Sequence, residues 1–406
     1  MSLSTTVIGS YCKPECVDTP SWFDEKPGQK PKECPSRDYD KFAAEVDHQV
    51  TSALRRLQTT VIGSYPKSAY CEIPNWFTNQ GDFNPLELEE YKKKLSSREY
   101  EQSINRGLQE ILDEQCEIGI DVVTDGEIRR DNYINHLCRR IKGIDFVNLT
   151  KKSCRNGAWV AYVPTIRAKP EVDGDISWIA KEWQDAQNKT EKPVKATVPG
   201  PMTIIGSTAN TAYDDVRELN KELVKVVNAH IKCLADAGCR HIQLDEPVMM
   251  REPDVALEYG IDDAAQCFDG VVPEVTKAVH LCCGYPLYLD QKDYQKADKD
   301  AYIKLADKLD CAGFDQISIE DTHRRNDLAL FDRFKKTTIV LGSVAIADSR
   351  VETVEEIRAR LIDVLRHLPS PNRLVVAPDC GLGFLPRDIL RAKLTNMTRA
   401  AKSIPV

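Results

Sequence analysis

The chain has 406 residues, with 55 Lys and Arg against 63 Asp and Glu, for a formal charge of −8. That length suits one large barrel with extensions or two medium domains. No long Lys/Arg run marks a nucleic-acid footprint, and no run of 18 apolar residues offers a membrane span. Fourteen cysteines without a hydrophobic leader after MSLSTTVIGS point to reduced thiols in the cytoplasm, not to a secreted disulfide framework.

The N-terminus opens on a repeat. TTVIGSY stands at 5–11 and again at 59–65, and with the same offset Pro20-Ser21-Trp22-Phe23 matches Pro74-Asn75-Trp76-Phe77. Two copies are too few for a solenoid. The pattern reads as a partial duplication of a first strand–helix unit, giving an extension over 1–56 and a main domain over 57–406. From the second copy onward, short apolar runs follow at 59–65, 121–127, 194–200, 241–247, 278–284, 314–320, 338–344 and 373–379. Helical periodicity separates several of them, over 98–118, 213–237, 300–310, 354–367 and 388–403. Continuous apolar strands alternating with helices predict a parallel sheet. Eight units predict an α/β fold, a (β/α)8 TIM-type barrel, with a doubly wound open sheet as the alternative. The polar stretch 139–193 is too long for a crossover. Its segment NGAWVAYVPTIRAKPEVDGDIS alternates like a hairpin, so it predicts a hairpin-like insertion after the second strand, beside the barrel mouth.

Polar residues gather at the strand ends. His280 and Cys282 (VHLCCG), Glu320 (ISIED) and Cys380 (APDCG) end strands five, six and eight, on the face where barrels keep their sites. H-x-C on a strand puts both side chains on one side, and Cys283 on the other. One imidazole, two thiolates and a carboxylate make a tetrahedral set suited to Zn2+. Two thiolates leave such a metal electron-rich, so a substrate thiol bound to it would lose its proton and stay nucleophilic. Each residue alone is equally a buried strand residue. Ser64 ends strand one after Gly63, Glu127 ends strand two, and Asp245-Glu246 end strand four. Glu127 and Asp245 suit a substrate amino group, or else an ion-pair network with Arg129, Arg130 and Arg251; Glu246 fits either role. His323, Arg324 and Arg325 either meet an anionic group or end a solvated loop. Trp159, Tyr162 and Trp178 pack within the hairpin or cover the mouth.

Taken in order, IGSYP, DGE, KPVKATVPGPMTI, IQLDEP, HLC, SIE and PDCG resemble the catalytic barrel of the cobalamin-independent methionine synthase family and its short single-barrel relatives, over roughly 57–403. The resemblance implies a (β/α)8 barrel. It implies zinc on His280, Cys282, Glu320 and Cys380, and homocysteine held at Ile62, Gly63, Ser64, Glu127 and Asp245, the last two also as catalytic residues. Three departures stand out. Only residues 1–56 precede the barrel, where the long enzyme has a second one. The family's folate-stacking Trp falls on Ser207, and its catalytic His on Ala347. The Arg-Glu pair after DEP is also displaced by one residue, at Arg251-Glu252.

These features predict a zinc-dependent thiol alkyltransferase. Its acceptor is a homocysteine-like thiol, its simplest product is methionine, and its donor is something other than methyl-folate, such as a methyl-corrinoid protein or a methyl-sulfonium. The alternatives are addition of a thiol to an epoxide or another electrophile, and a silent zinc- and thiol-binding protein.

Overall fold

Runs such as IVL (339–341) and LVVA (374–377) are apolar at every position, so a strand made from them must be covered on both faces. The computed structural model describes residues 56–68, 71, 73–77, 83–154 and 159–405. The extension over 1–55, with the first copy of the repeat, lies outside the described residues. The chain divides into two units, 1–56 with 405–406, and Leu57–Ile404, and the second carries both sheets.

Its strands are β1 (Gln58–Thr59), β2 (Val123–Thr124), β3 (Ile141–Cys154), β4 (Trp159–Val172), β5 (Val194–Pro199), β6 (Ala209–Asn210), β7 (His241–Asp245), β8 (Thr276–Leu281), β9 (Gln316–Ile319), β10 (Thr338–Gly342) and β11 (Leu374–Ala377). Eight of them form one parallel sheet in the order β1-β11-β10-β9-β8-β7-β5-β2. A parallel bridge between Thr60 and Val122 joins its two edges. The N–H groups of Asp121 and Val122 also donate to the Thr59 carbonyl at 3.2 and 3.1 Å. The expected (β/α)8 barrel is therefore closed, with Ile62, Val340, Val375 and Ala377 clustered inside it.

The first two strands are shorter than the apolar runs suggested. After Thr60 the chain runs as loop through Gly63 and Ser64, and after Thr124 it turns sharply. Both runs carry glycine near their ends, and glycine weakens a strand while allowing close approach.

The helices include α1 (Ser97–Ile118), α2 (Tyr133–Cys138), α3 (Ser177–Gln187), α4 (Pro201–Ser207), α5 (Val216–Asp236), α6 (Ala301–Cys311), α7 (Val354–Leu365) and α8 (Arg387–Lys402). Capping boxes at Ser96/Glu99 and Thr353/Glu356 start α1 and α7. Gly119, at φ +90°, stops α1 in the left-handed conformation that glycine adopts without strain. Irregular helical turns after β7, including Val248–Arg251 and Ile261–Gln266, carried no strong period in the sequence. No helix among the described residues is long and apolar enough to cross a membrane.

The insertion is a hairpin, but not the one its alternation suggested. The alternating segment from Trp159 is one arm, β4; its antiparallel partner β3 lies upstream, and 155–158 between them are outside the described residues. The sequence KGIDFVNLTKKS of β3 hides its alternation because all of it is half-buried or exposed, with no buried apolar face. β4 also pairs with β6 through Thr165 and Ala209. Lys152 then fastens β3 to the end of α4: its Nζ donates to the carbonyls of Ile205, Gly206 and Thr208 at 3.2, 2.9 and 2.6 Å. A helix C-terminus with unpaired carbonyls is a natural seat for a cation.

A second anchor ties α8 to the loop after β10. Lys393 is fully buried, and its Nζ donates to both Glu352 oxygens (3.1 and 2.9 Å) and to the Arg350 carbonyl (2.5 Å). Removing one partner of such a pair strands the other charge. Lys393→Met is expected to destabilise the fold by about 3–5 kcal/mol, read as a lower midpoint in urea unfolding; an unchanged midpoint would refute the buried pairing.

Candidate metal and amino acid site

Parallel closure sends the C-terminal ends of all eight strands to one mouth. There a cavity of about 1030 Å³ opens, and Ile62, Gly63, Ser64, Glu127, Asp245, His280, Cys282 and Cys380 all line it. The two blocks that the N-terminal repeat duplicates, 59–65 and 74–77, supply Ile62, Gly63, Ser64, Trp76 and Phe77 to its wall. Eight of the nine site residues expected from the sequence thus share one wall; Glu320 stands just behind it.

His280, Cys282 and Cys380 place one ligand atom each within 4.8 Å of one another. His280 sits on β8, one residue before its last, and Cys282 follows the strand, so both project to the same side. Cys380 follows β11 by three residues. His280 Nδ1 lies 2.9 Å from Ser318 Oγ on β9, which leaves Nε2 facing Cys380 Sγ at 3.3 Å. That partner fixes the ring as metal-bound histidines are usually fixed. The hydrogen bond from Cys380 holds the Cys282 thiol well below its usual pKa, and the same bond with burial holds Cys380 well above. One imidazole nitrogen and two sulfurs at this spacing fit zinc by donor type and by number.

Glu320 lies outside that cluster of three. One of its oxygens accepts from the Lys296 ammonium at 2.5 Å and the other from the Cys283 N–H at 3.0 Å. Lys296 also lines the cavity. A lysine fifteen residues past the end of β8 gave no signal in the sequence. Cys283 faces away from Cys282 as its parity predicted, and burial raises its thiol to about 12.

Glu127 has a positive φ of 53°, just after Gly126 at 65°. Such a conformation is strained for a side chain other than glycine and tends to persist where it aims a functional group. Its Oε1 accepts from Arg130 at 3.1 Å and Thr197 Oγ1 at 3.0 Å. A Cβ on residue 63 would come 2.8 Å from that oxygen, so glycine is what lets the carboxylate lie against the strand-one loop. Asp245 accepts from Gln243 Nε2 at 2.7 Å. Burial pushes its pKa up to about 7, and the neighbouring Glu127 charge adds to the shift. Of the two roles open for these carboxylates, Arg130 is a structural partner of Glu127, while Asp245 has no cation within ion-pair distance among the described residues. Glu246 is a fold residue: its oxygens accept from the N–H groups of Met202 and Thr203 and from Thr203 Oγ1, capping the start of α4.

The remaining candidates separate cleanly. Arg324 donates to the carbonyls of Ala297 and Asp298, and Arg325 to Asp321. His323 Nε2 accepts from the N–H groups of Ile346 and Ala347, and burial pulls its pKa down to about 4. It is a neutral acceptor with no proton to give from that nitrogen. Ala347 is buried, and its carbonyl accepts from Asp290. Ser207 lines the cavity at the end of α4, and Tyr162 of β4 lines it from the hairpin. Trp178 packs edge-on against His136 and His230, away from the mouth, and the Trp159 side chain lies outside the described residues.

Residues 57–403 match the family model described as the cobalamin-independent synthase catalytic domain. A methionine synthase of Sulfolobus acidocaldarius is 30% identical over 350 residues, covering 84% of this chain and 91% of its own. One from Pyrococcus abyssi is 28% identical over 353 residues, covering 86% and 93%. Among solved structures, a B12-independent methionine synthase from Shewanella sp. W3-18-1, in complex with selenomethionine, superposes with a TM-score of 0.74. It shares 25% identity over 86% of this chain and 98% of its own. With a match over nearly the whole barrel, the chain belongs to the family of cobalamin-independent synthase catalytic domains.

Proposed function

We infer that the protein is a zinc-dependent enzyme that transfers a methyl group to the thiol of homocysteine, giving methionine, and that it draws the methyl from a donor other than methyl-folate. The observation that carries this reading is the meeting, in one cavity, of the His280–Cys282–Cys380 cluster with Glu127 and Asp245. The relatives described as methionine synthases, and the selenomethionine held by one of them, support it. The described cysteines are all free thiols, in keeping with a cytoplasmic home.

Zinc bound at the cluster would supply the Lewis acidity that brings an incoming thiol to its thiolate at neutral pH. His280, Cys282 and Cys380 hold it, with Ser318 orienting the imidazole. Glu320, which accepts from Lys296 and the Cys283 N–H, would be the fourth ligand. Glu127 and Asp245 take the substrate ammonium, which compensates the buried carboxylates. The hairpin, fastened through Lys152, limits water at the mouth.

The donor half rests on two positions, Ser207 on the cavity wall and Ala347 buried in the loop after β10. Ser207 offers no ring for a pterin, and Ala347 has no proton for a departing nitrogen. Neither neighbour replaces it: His323 is held as an acceptor, and Asp348 is paired with Lys292 at 2.7 Å. A donor that leaves unprotonated, such as a methyl-sulfonium or a methyl-corrinoid protein, fits such a wall.

Three outcomes are expected. Purified protein should carry about one zinc per chain, and Cys380→Ser should lose most of it in a chelator competition, since one thiolate contributes a large share of zinc affinity; full retention would remove Cys380 from the ligand set. Methionine has no titrating thiol, and comparison with Asp245→Asn separates Asp245 from Lys195, whose pKa burial also brings to about 7. Its affinity should rise as pH passes through about 7, because the ionised carboxylate is the form that takes an ammonium, and Asp245→Asn should flatten that rise in calorimetric titrations. A pH-independent wild-type affinity would place the ammonium elsewhere. In side-by-side homocysteine methylation assays, methyl-folate should trail a methyl-sulfonium or methylcobalamin by about 10²–10⁴ in rate, the usual worth of general acid help. Fast turnover with methyl-folate would overturn the donor assignment.

A further inference from the structure

Lys195 is a buried cation that none of the chemistry above uses. It lies on β5, where Ala196 registers with Ile242 and Thr197 with Gln243 of β7. Its side chain points into the barrel, with 5% of the residue exposed. Its Nζ donates to Gln243 Oε1 at 2.6 Å, and no carboxylate pairs with it among the described residues. Burial lowers its pKa to about 7. An ammonium buried with no carboxylate in contact, the Asp245 charge acting on it only from a distance, is costly and needs an explanation.

Gln243 supplies one. It is 1% exposed, one layer below the mouth, and its amide is fully used. Oε1 accepts from Lys195; Nε2 donates to Asp245 Oδ1 at 2.7 Å and to the Ile62 carbonyl at 2.9 Å. A glutamine amide can turn over, exchanging its oxygen for its nitrogen at little steric cost. An ammonium has only donors, so it admits only the oxygen. Both N–H groups are thereby turned upward, one to each of two groups that line the cavity. The Asp245 carboxylate and the Ile62 carbonyl favour the same orientation from above, so with Lys195 below the amide is held from both ends.

We propose that Lys195 is a positioning residue of the amino acid subsite: it locks the Gln243 amide in one orientation, and Gln243 holds the Asp245 carboxylate and the Ile62 carbonyl where they receive a substrate ammonium. The proposal rests on the assignment of that ammonium to Asp245. It adds the means by which a residue one layer down selects for amino acid thiols without touching them.

The test compares homocysteine with 4-mercaptobutanoate, which is homocysteine without its amino group. Dissociation constants are measured on the zinc-loaded full chain. Lys195→Met should weaken homocysteine about tenfold, on the scale of one charge-assisted hydrogen bond, and leave 4-mercaptobutanoate within about twofold. Gln243→Glu guards against a variant that fails to fold, because it keeps a partner for Lys195 while removing both N–H donors; it should show the same selective loss. The Lys195→Met/Gln243→Leu double variant should fall no further than Gln243→Leu alone, as expected for two links of one chain. Equal weakening of both thiols, or an unchanged homocysteine constant in Lys195→Met and Gln243→Glu, would overturn the proposal. Losses that multiply in the double variant would show Lys195 acting on Asp245 through space, and would overturn the relay. A wild-type protein that binds the two thiols equally would instead remove the assignment of the ammonium, and the proposal with it.

Discussion

A parallel sheet cannot close without bringing its strand ends together, and in this chain closure is carried by few bonds. The join between β1 and β2 is a single bridge at Thr60 and Val122, reinforced by the Thr59 carbonyl and by Asp121, whose carboxylate accepts from the Thr59 N–H and Oγ1 at 2.9 and 2.8 Å. Everything at the mouth depends on that join. It sets the loop holding Gly63 against the turn holding Glu127, and it brings the ends of β7, β8 and β11 around the same space. Opened between β1 and β2, the sheet would keep its helices and lose the meeting of Ser64, Glu127 and Cys380.

The barrel also inverts the usual rule about polar groups. Lys195, Gln243, Thr197, Asp245 and His280 are all buried and all interior. They are tolerable because each finds a partner: Gln243 for Lys195 and Asp245, Arg130 for Thr197, and Ser318, in register on β9, for His280. A buried network of this kind fixes geometry as much as it stabilises, since each unpaired member would carry a desolvation penalty of about 1–3 kcal/mol.

The strand ends were legible in the sequence because their signal is local. A continuous apolar run that stops at His280, Asp245 or Cys380 announces both the strand and the residue it presents. The helices with strong period and caps, such as α1 and α7, were legible for the same reason. What escaped was whatever depended on distant partners. Lys296 reaches Glu320 from a loop without pattern, Gln243 looks like any strand residue, and β3 hides its alternation in solvent-facing charge. Glu320 shows the limit most clearly: its place at the end of β9 could be read, but the Lys296 ammonium it accepts from could not.

The residues on the acceptor side of the cavity stand at strand ends or in the tight loops just after them, whereas Ser207 stands at the last turn of α4 and Tyr162 on the inserted hairpin. The two sides are thus held by parts of the fold that tolerate change very differently. A strand end cannot shift without disturbing its neighbours in the barrel, but the end of a short helix or the face of a hairpin can vary while the sheet stays in register. Change in such a barrel is channelled: the wall of strand ends is held by the register of the sheet, and the wall of helix end and hairpin is left open to replacement.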